Sequence, residues 1–206
     1  MNMATKRFLH IGCGAKDKRQ AMGFAGSDWA EVRFDVDPTV NPDIVGDIVD
    51  MSMIGAETLD GVYASHVLEH LYSHQVMTAL GECARILKPT GFAIFTCPDL
   101  QAVGEQLAKG NLVEPMYVAP AGPIAPIDML FGLRSSLKQG NDSMAHRTGF
   151  TAKVLGGLLS GAGFQKVAAT RRGRPYYDLW AVATKAPASN ADLQALVDRH
   201  WPAACR

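Results

Sequence analysis

The sequence predicts an α/β fold: a Rossmann-like, doubly wound and mostly parallel seven-stranded sheet that ends in an antiparallel hairpin. Three observations predict it. Short apolar segments alternate with turn signals and one helical segment over residues 8–98, which is typical of units with parallel strands. The first apolar segment runs directly into a glycine turn. Two strand-like segments near the C-terminus are joined by a short basic turn.

Four short segments in the first third of the chain have the composition of strands, because they are apolar and bounded by turn residues. The first ends at a glycine turn, and Asp37-Pro38 stops the second, since proline disfavours continued regular structure before it. The four segments are Phe8–Ile11, Val32–Val36, a very short one within Asp43–Asp47, and Asp60–Ser65.

An amphipathic helix is predicted over residues 71–87, where apolar side chains recur at helical spacing. Lys88–Gly91 predicts a turn that ends this helix, because proline stands at its second position and glycine at its fourth. Phe92–Thr96 is then the fifth predicted strand. This strand completes the alternation that indicates a parallel sheet.

The second half of the chain begins with a segment of different composition. Residues 110–126 are rich in proline and glycine and predict an irregular insert, so the region of about 99–150 is expected to be a substrate-side insert or lid. Three further elements are expected after it. They are a helix over residues 151–162, a hairpin of Gln165–Thr170 with Tyr177–Thr184, and a short final helix capped by Asn190.

Length and charge narrow the class of protein. A chain of 206 residues predicts a single domain over 1–206. Twenty basic and twenty acidic residues cancel, so a nucleic-acid partner is not favoured. No apolar run reaches the roughly 18 residues that span a bilayer, and a cytoplasmic location is expected. The scattered cysteines, Cys13, Cys83, Cys97 and Cys205, predict unpaired thiols in a reducing compartment.

Ile11–Gly14 predicts a tight turn in which glycines let the backbone approach a ligand closely. The third glycine of the dinucleotide fingerprint is replaced by Asp17, which argues against a pyrophosphate and favours a cofactor that carries a carboxylate. Asp35 follows 23 positions after Gly12, where an acidic side chain can bind a ribose diol. The nearby Asp37 is the competing candidate for this role.

Two further polar residues, Asp47 and His146, are candidates for the site. Asp47 follows the third strand and could reach an adenine amino group, or it could simply cap the following turn. His146 lies between the insert and a predicted helix. It is either a structural histidine or a residue of an acceptor pocket that orients or deprotonates a substrate.

Five motifs in order resemble those of class I S-adenosylmethionine-dependent methyltransferases, and the group often called type 11 in particular. The resemblance covers residues 8–98, with a weaker echo at His146–Thr151 and Ala162–Phe164. The residues Ala15–Asp17 depart from it, since many relatives keep a small residue there. The motifs are Leu9–Gly14, Phe34–Pro38, Val45–Ile48, Tyr63–His70 and Arg85–Gly91.

The resemblance implies S-adenosyl-L-methionine as the cofactor and assigns each part of it to a motif. The glycine turn would hold the methionine part, Asp35 the ribose and Asp47 the adenine amine. The residues that end the fourth strand would line the methyl-transfer pocket. The implied cofactor-binding residues are Gly12, Cys13, Gly14, Asp35, Val36, Asp47, Ile48, Ser65 and His66, and the candidate catalytic residues are His66 and His146.

The expected function is therefore methyl transfer to an unidentified small-molecule acceptor. A non-catalytic S-adenosylmethionine-binding protein of the same fold is the first alternative. A nicotinamide-dependent reductase is disfavoured, because the third glycine and a Tyr-x-x-x-Lys pair are not found.

A zinc hydrolase is the remaining alternative, because His66–His70 fits H-x-x-E-H, with both histidines on a zinc ion and Glu69 as the base. His66 is expected at the end of a strand and no third ligand is evident, so no metal is expected. Glu69 and His70 are expected to hold the turn after the fourth strand.

Overall fold

A seven-stranded sheet forms the centre of the fold in the computed structural model, which describes residues 5–205. Its strand order is β3-β2-β1-β4-β5-β9-β8, and a separate two-stranded hairpin, β6-β7, lies outside it. The predicted fold class is confirmed. The strands are β1 Lys6–Ile11, β2 Trp29–Asp35, β3 Ile44–Val45, β4 Leu59–Ser65, β5 Leu87–Pro98, β6 Tyr117–Ala119, β7 Gly122–Ile124, β8 Lys166–Arg172 and β9 Asp178–Thr184.

The strand order reverses at β1, and this reversal creates a crevice. β1 pairs in parallel with β2 on one side and with β4 on the other, so the chain moves away from β1 in both directions. Ile11 stands opposite Phe34 and Ala64 in the two ladders, which brings the carboxyl ends of β1, β2 and β4 to one edge. In open α/β sheets, ligands bind at this kind of switch point.

Helices cover both faces of the sheet. α1 and α5 pack on one face, where their apolar side chains join the larger core, and α6 packs on the other face. Alternation along β1 supplies both faces, because Leu9 and Ile11 enter the first core while Phe8 enters the second. The helices are α1 Val76–Ile86, α2 Leu100–Leu107, α3 Pro126–Phe131, α4 Arg134–Lys138, α5 Ala152–Gly161 and α6 Asn190–His200.

Three local predictions are wrong or incomplete. Lys88–Gly91 ends α1 as expected but falls within the bounds of β5, where it has no partner in the ladder, because pairing passes from Leu59–Leu87 directly to Gly61–Phe92. α1 begins at Val76 rather than near residue 71, since a 3-10 turn, Leu68–His70, comes first. Part of the segment expected to be irregular, residues 110–126, forms the β6–β7 hairpin.

The cap of α6 is also corrected. Ser189, not Asn190, is the N-cap: its hydroxyl accepts the backbone N–H of Asp192, and the Asp192 carboxylate bonds back to Ser189. This reciprocal pair satisfies two free N–H groups at the start of the helix. No helix within residues 5–205 is both long and apolar enough to cross a membrane.

His200 is buried in an aromatic cluster between α6 and the sheet. Its ring centroid lies 4.6 Å from that of Phe24 and 4.8 Å from that of Phe92. The Nδ1–H donates to the carbonyl of Met22 at 3.0 Å, since a carbonyl can only accept. Burial of this neutral ring lowers the pKa of His200 from 6.5 to about 4.

The burial of His200 predicts a loss of stability in acid. In the unfolded chain His200 binds a proton below about pH 6.5, whereas in the folded chain it does so only near pH 4. The free energy of unfolding therefore falls as the pH drops through this window. The free energy of unfolding lost across the whole window is about 3 kcal/mol. We expect the Tm of His200→Phe to fall less than that of the wild-type protein between pH 7 and pH 4.5. A matched variant of the exposed His74, His74→Phe, should keep the wild-type slope. An unchanged slope in His200→Phe would remove His200 as the cause.

Candidate functional site

A cavity of about 490 Å³ opens at the carboxyl ends of β1, β2 and β4, at the reversal in strand order. Most of the residues singled out in the sequence line it together. They are Gly12, Gly14, Asp35, Val36, Asp47, Ile48 and His66. The remaining three, Cys13, Ser65 and His146, are not among the residues that line it.

The turn after β1 depends on its glycines. Gly12 and Gly14 have φ values of +62° and +52°, in the left-handed region that favours glycine. A Cβ on Gly12 would lie 2.5 Å from Cγ2 of Val67, so the loop after β4 packs directly on this backbone. Cys13 is fully buried between them. Burial raises the pKa of the Cys13 thiol, and its backbone N–H donates to Phe34.

Asp35 links the turn after β1 to the loop after β2. Its Oδ2 accepts the backbone N–H of Gly14 at 2.8 Å, and its Oδ1 accepts that of Asp37 at 3.0 Å. A carboxylate offers about four lone-pair directions, so acceptor capacity remains on the cavity side. Only 9% of the surface of Asp35 is exposed, because both loops fold over it. An acid at a free strand end would be largely exposed.

Asp37, the competing acid, is already engaged elsewhere. Its Oδ1 accepts both the N–H and the hydroxyl of Thr39, at 2.8 and 2.7 Å. These hydrogen bonds lower the pKa of Asp37. The carboxylate therefore caps the short 3-10 helix Pro38–Val40, and of the two acids Asp35 is the one placed against the glycine turn.

Arg33 organises both loops, and the sequence patterns did not single it out. Its guanidinium donates to the carbonyls of Gly14 at 2.5 Å, Asn41 at 2.7 Å, Val40 at 3.1 Å and Lys16 at 3.2 Å. Arg33 and Asp35 lie on the same side of β2, since side chains alternate along a strand. In the sequence, the signal for Arg33 was a cation that stands two positions before Asp35 on the same strand.

The segment after β3 supplies the far wall of the cavity. Asp47 is exposed and lines the cavity, and its Oδ1 also accepts the N–H of Val49 at 3.1 Å, as expected of a residue that caps a turn. The neighbouring Ile48 is buried and apolar. Val36, on the loop after β2, keeps 62% of its surface exposed although it is apolar, and it faces the same cavity.

The end of β4 presents a histidine in an unusual backbone conformation. His66 has φ +56°, and its N–H donates to the carbonyl of Thr96 on β5 at 2.9 Å. Its Nδ1 lies 3.0 Å from Oε1 of the buried Glu69. Burial disfavours both charged forms, but the hydrogen bond and opposite charge outweigh it. The pair therefore raises the pKa of His66 and lowers that of Glu69. Ser65 instead bonds Thr96 through its hydroxyl at 2.8 Å.

Residues 141–147 close the cavity from the side of the insert. Asn141, Ser143, Met144 and Arg147 all line it, and none of them was predicted from the sequence. Arg147 fixes this segment, because its N–H donates to the carbonyl of Glu69 at 2.8 Å and its guanidinium donates to that of His70 at 2.7 Å. The insert therefore docks on the loop after β4 through main-chain bonds.

The cavity combines one apolar wall with polar groups at defined points. The positive-φ turn follows β1, Asp35 ends β2 and Asp47 follows β3, three strands that are neighbours in the sheet. Ile48 and Val36 line the same cavity. This distribution suits an elongated ligand that has a charged end, a hydroxylated middle and a flat apolar ring.

Comparison with known proteins agrees with the geometry of the first half of the fold. Residues 9–95 match the sequence model of the family described as "Methyltransferase domain", which is the type 11 group. The resemblance predicted from the five motifs is confirmed over these residues. No curated protein matches the chain.

Solved structures show the same fold at low sequence identity. A SAM-dependent methyltransferase from Archaeoglobus fulgidus is 15% identical, with a TM-score of 0.56 over 86% of this chain and 85% of that one. One from Thermotoga maritima is 15% identical, with a TM-score of 0.57 over 89% and 84%. The 1,6-didemethyltoxoflavin-N1-methyltransferase of Burkholderia thailandensis, solved with 1,6-didemethyltoxoflavin and S-adenosylhomocysteine, is 16% identical, with a TM-score of 0.53 over 89% and 72%.

Proposed function

We propose, from the match of residues 9–95 to the methyltransferase domain family, that the chain is an S-adenosylmethionine-dependent methyltransferase that acts on a small-molecule acceptor. One observation carries the proposal. The glycine turn, Asp35 and Asp47 come from three separate strand ends and line one cavity. Their strands are neighbours in the order β1-β2-β3, so the three groups follow one another across the sheet edge as the carboxylate end, the ribose and the adenine do in S-adenosylmethionine.

Each part of the cofactor has a proposed partner. The N–H groups near Gly12 and Gly14 would meet the methionine carboxylate, since backbone N–H groups in such a turn attract anions. The remaining lone pairs of Asp35 would accept the ribose hydroxyls. The adenine would lie between Val36 and Ile48 with its amine near Asp47. Val36 has 62% of its surface exposed and so has area available to stack on the adenine.

Positioning is the main catalytic task of the protein in this proposal. When bound, S-adenosylmethionine supplies a methyl group that is already activated on a sulfonium sulfur. The chain has to hold the acceptor in line with that methyl group, and such positioning contributes several kcal/mol in favourable cases. His66 lies at the cavity, and Glu69 fixes its Nδ1. We assign His66 the contact with the acceptor, and the ring of His146 meets that of His70, which lines the cavity.

The acceptor side of the cavity belongs to the insert. Asn141, Ser143, Met144 and Arg147 line the cavity, and we propose that the region 99–150 selects the acceptor. The small-molecule class is supported by the Burkholderia thailandensis neighbour, whose structure holds a small heterocyclic ligand.

The cysteines within the described residues are free and buried, in keeping with the proposed cytoplasmic location.

Formation of S-adenosylhomocysteine tests the catalytic half of the proposal, because this product appears whatever the acceptor is. The protein would be incubated with S-adenosylmethionine and fractions of a small-molecule extract, with Asp35→Ala as the matched control. Product that depends on both the protein and one fraction, and is lost in Asp35→Ala, is the expected result. Binding of S-adenosylhomocysteine without turnover in any fraction would favour the non-catalytic alternative.

A further inference from the structure

Three potential metal ligands from two distant segments meet behind the wall of the cavity. Glu69 and His70 come from the 3-10 turn after β4, and His146 comes from the segment before α5. One ligand-type atom from each residue lies within 4.8 Å of those of the other two. The rings of His70 and His146 meet edge to face, with their centroids 5.0 Å apart.

Backbone hydrogen bonds fix both imidazoles in the state that binds a metal. Nδ1 of His70 lies 3.1 Å from the carbonyl of Ala145, and Nδ1 of His146 lies 2.8 Å from the carbonyl of Met129. A carbonyl can only accept, so each Nδ1 carries the proton and each Nε2 keeps its lone pair. Metal-binding histidines are held in the same way, with the second ring nitrogen donating to a carbonyl or carboxylate.

Glu69 adds an anionic oxygen that needs a partner. Its side chain is 1% exposed, and its Oε1 is bonded to His66. Its Oε2 is buried and accepts no hydrogen bond from any residue within 5–205. A buried carboxylate oxygen without a donor is destabilising, because nothing compensates for its loss of hydration. A cation between this oxygen and the two Nε2 atoms would remove that cost.

We propose that Glu69, His70 and His146 form a binding site for a divalent transition metal, with Zn²⁺ as its best-fitting ion. Two imidazoles and one carboxylate are a ligand set that zinc accepts, with a fourth position left open. Bonds of about 2.0–2.2 Å place tetrahedral ligand atoms roughly 3.4 Å apart. The observed separations, all within 4.8 Å, allow this after small side-chain rotations.

The proposed set differs from the H-x-x-E-H assignment in the sequence. Glu69 is a ligand rather than a base, and His66 holds the other oxygen of Glu69 instead of the metal. The third ligand, His146, was not recognised as such because it lies 76 positions after His70 and only the fold brings the two together. The proposal departs from the expectation that no metal binds.

A metal at this position would join the insert to the loop after β4. His70 also lines the cavity, so the proposed metal would lie beside it. The site itself does not rest on methyl transfer, because its ligands are defined by geometry alone.

Metal titration of untagged, chelator-stripped protein tests the site. Zinc would be added in competition with a chromophoric chelator, and Co²⁺ would be added separately to record its visible absorption bands. We expect one equivalent of Zn²⁺ per chain, a rise in Tm with Zn²⁺, and Co²⁺ bands of a low-coordinate site. His146→Gln and His70→Gln should each weaken Zn²⁺ binding by more than about tenfold. His74→Gln, an exposed histidine near the same loop, should bind as the wild-type protein does.

Two outcomes would overturn the proposal. The first is that the wild-type protein does not bind Zn²⁺ stoichiometrically, a result that does not depend on the folding of any variant. The other is wild-type affinity in folded His146→Gln and His70→Gln, which would place the metal elsewhere. Titration of the same stripped protein with S-adenosylhomocysteine separates this result from the proposed function, since either can fail while the other holds.

Discussion

Asp35→Ala is expected to weaken S-adenosylhomocysteine binding by at least about a hundredfold. The carboxylate would accept two ribose hydroxyls, and hydrogen bonds to a charged group contribute about 1.5–3 kcal/mol each. The substitution also removes the acceptor of the N–H groups of Gly14 and Asp37, so both loops lose their shared anchor. Calorimetric titration at a temperature well below the Tm of the variant measures the change in Kd.

Asp37→Ala is the matched control for Asp35→Ala. Both acids lie on the same loop and line the cavity, but the Asp37 carboxylate is committed to Thr39. We expect Asp37→Ala to change the Kd by less than about threefold, since it removes only a helix cap. Unchanged affinity in Asp35→Ala, or the larger loss in Asp37→Ala, would remove Asp35 from the site. The burial of Asp35 also predicts a lower Tm for its variant, so circular dichroism must accompany the titration.

Gly12→Ala is expected to lower the free energy of unfolding by about 2–5 kcal/mol. A left-handed backbone with a Cβ costs about 1–2 kcal/mol, and overpacking costs about 1–3 kcal/mol more. The added Cβ would lie 2.5 Å from Cγ2 of Val67, whose branched side chain has little rotamer freedom. Val67 follows His66, so its displacement also disturbs the cavity. Thermal unfolding should show a fall in Tm of about 5–15 °C.

Gly14→Ala separates the two contributions to this loss. Gly14 has a similar φ, +52°, but a Cβ there would meet no atom within 4 Å. Gly14→Ala should therefore lower the free energy of unfolding only by the cost of the left-handed backbone, about 1–2 kcal/mol. Equal losses in the free energy of unfolding of Gly12→Ala and Gly14→Ala would show that the contact with Val67 does not contribute to the loss. The loop after β4 would then be free to move.

The parts of the site that were predictable are those set by local pattern. A strand that ends in glycines, followed by a strand that ends in an acid, places Gly12 and Asp35 at one sheet edge whatever surrounds them. The parallel register then determines that His66 joins them. These features depend on neighbouring residues in the sequence, which is why periodicity and turn chemistry were sufficient to find them.

The parts that were missed depend on contacts between distant segments. Arg33 was overlooked because the carbonyls it binds belong to two loops that only the folded sheet brings together. Arg147 reaches the cavity because its main chain docks on Glu69. Lys88–Gly91 has the composition of a turn and is unpaired, but pairing of Leu87 with Leu59 starts β5 before it. No local signal reports such long-range partners.

Calorimetric titration of the wild-type protein with S-adenosylhomocysteine, beside a titration with NADH, tests the central claim most directly. The claim is that the cavity at the ends of β1, β2 and β4 is shaped for a sulfonium nucleoside rather than for a dinucleotide pyrophosphate. It predicts one-site binding of S-adenosylhomocysteine with a micromolar or lower Kd and no heat of binding with NADH. Binding of NADH alone, or of neither ligand, would contradict it.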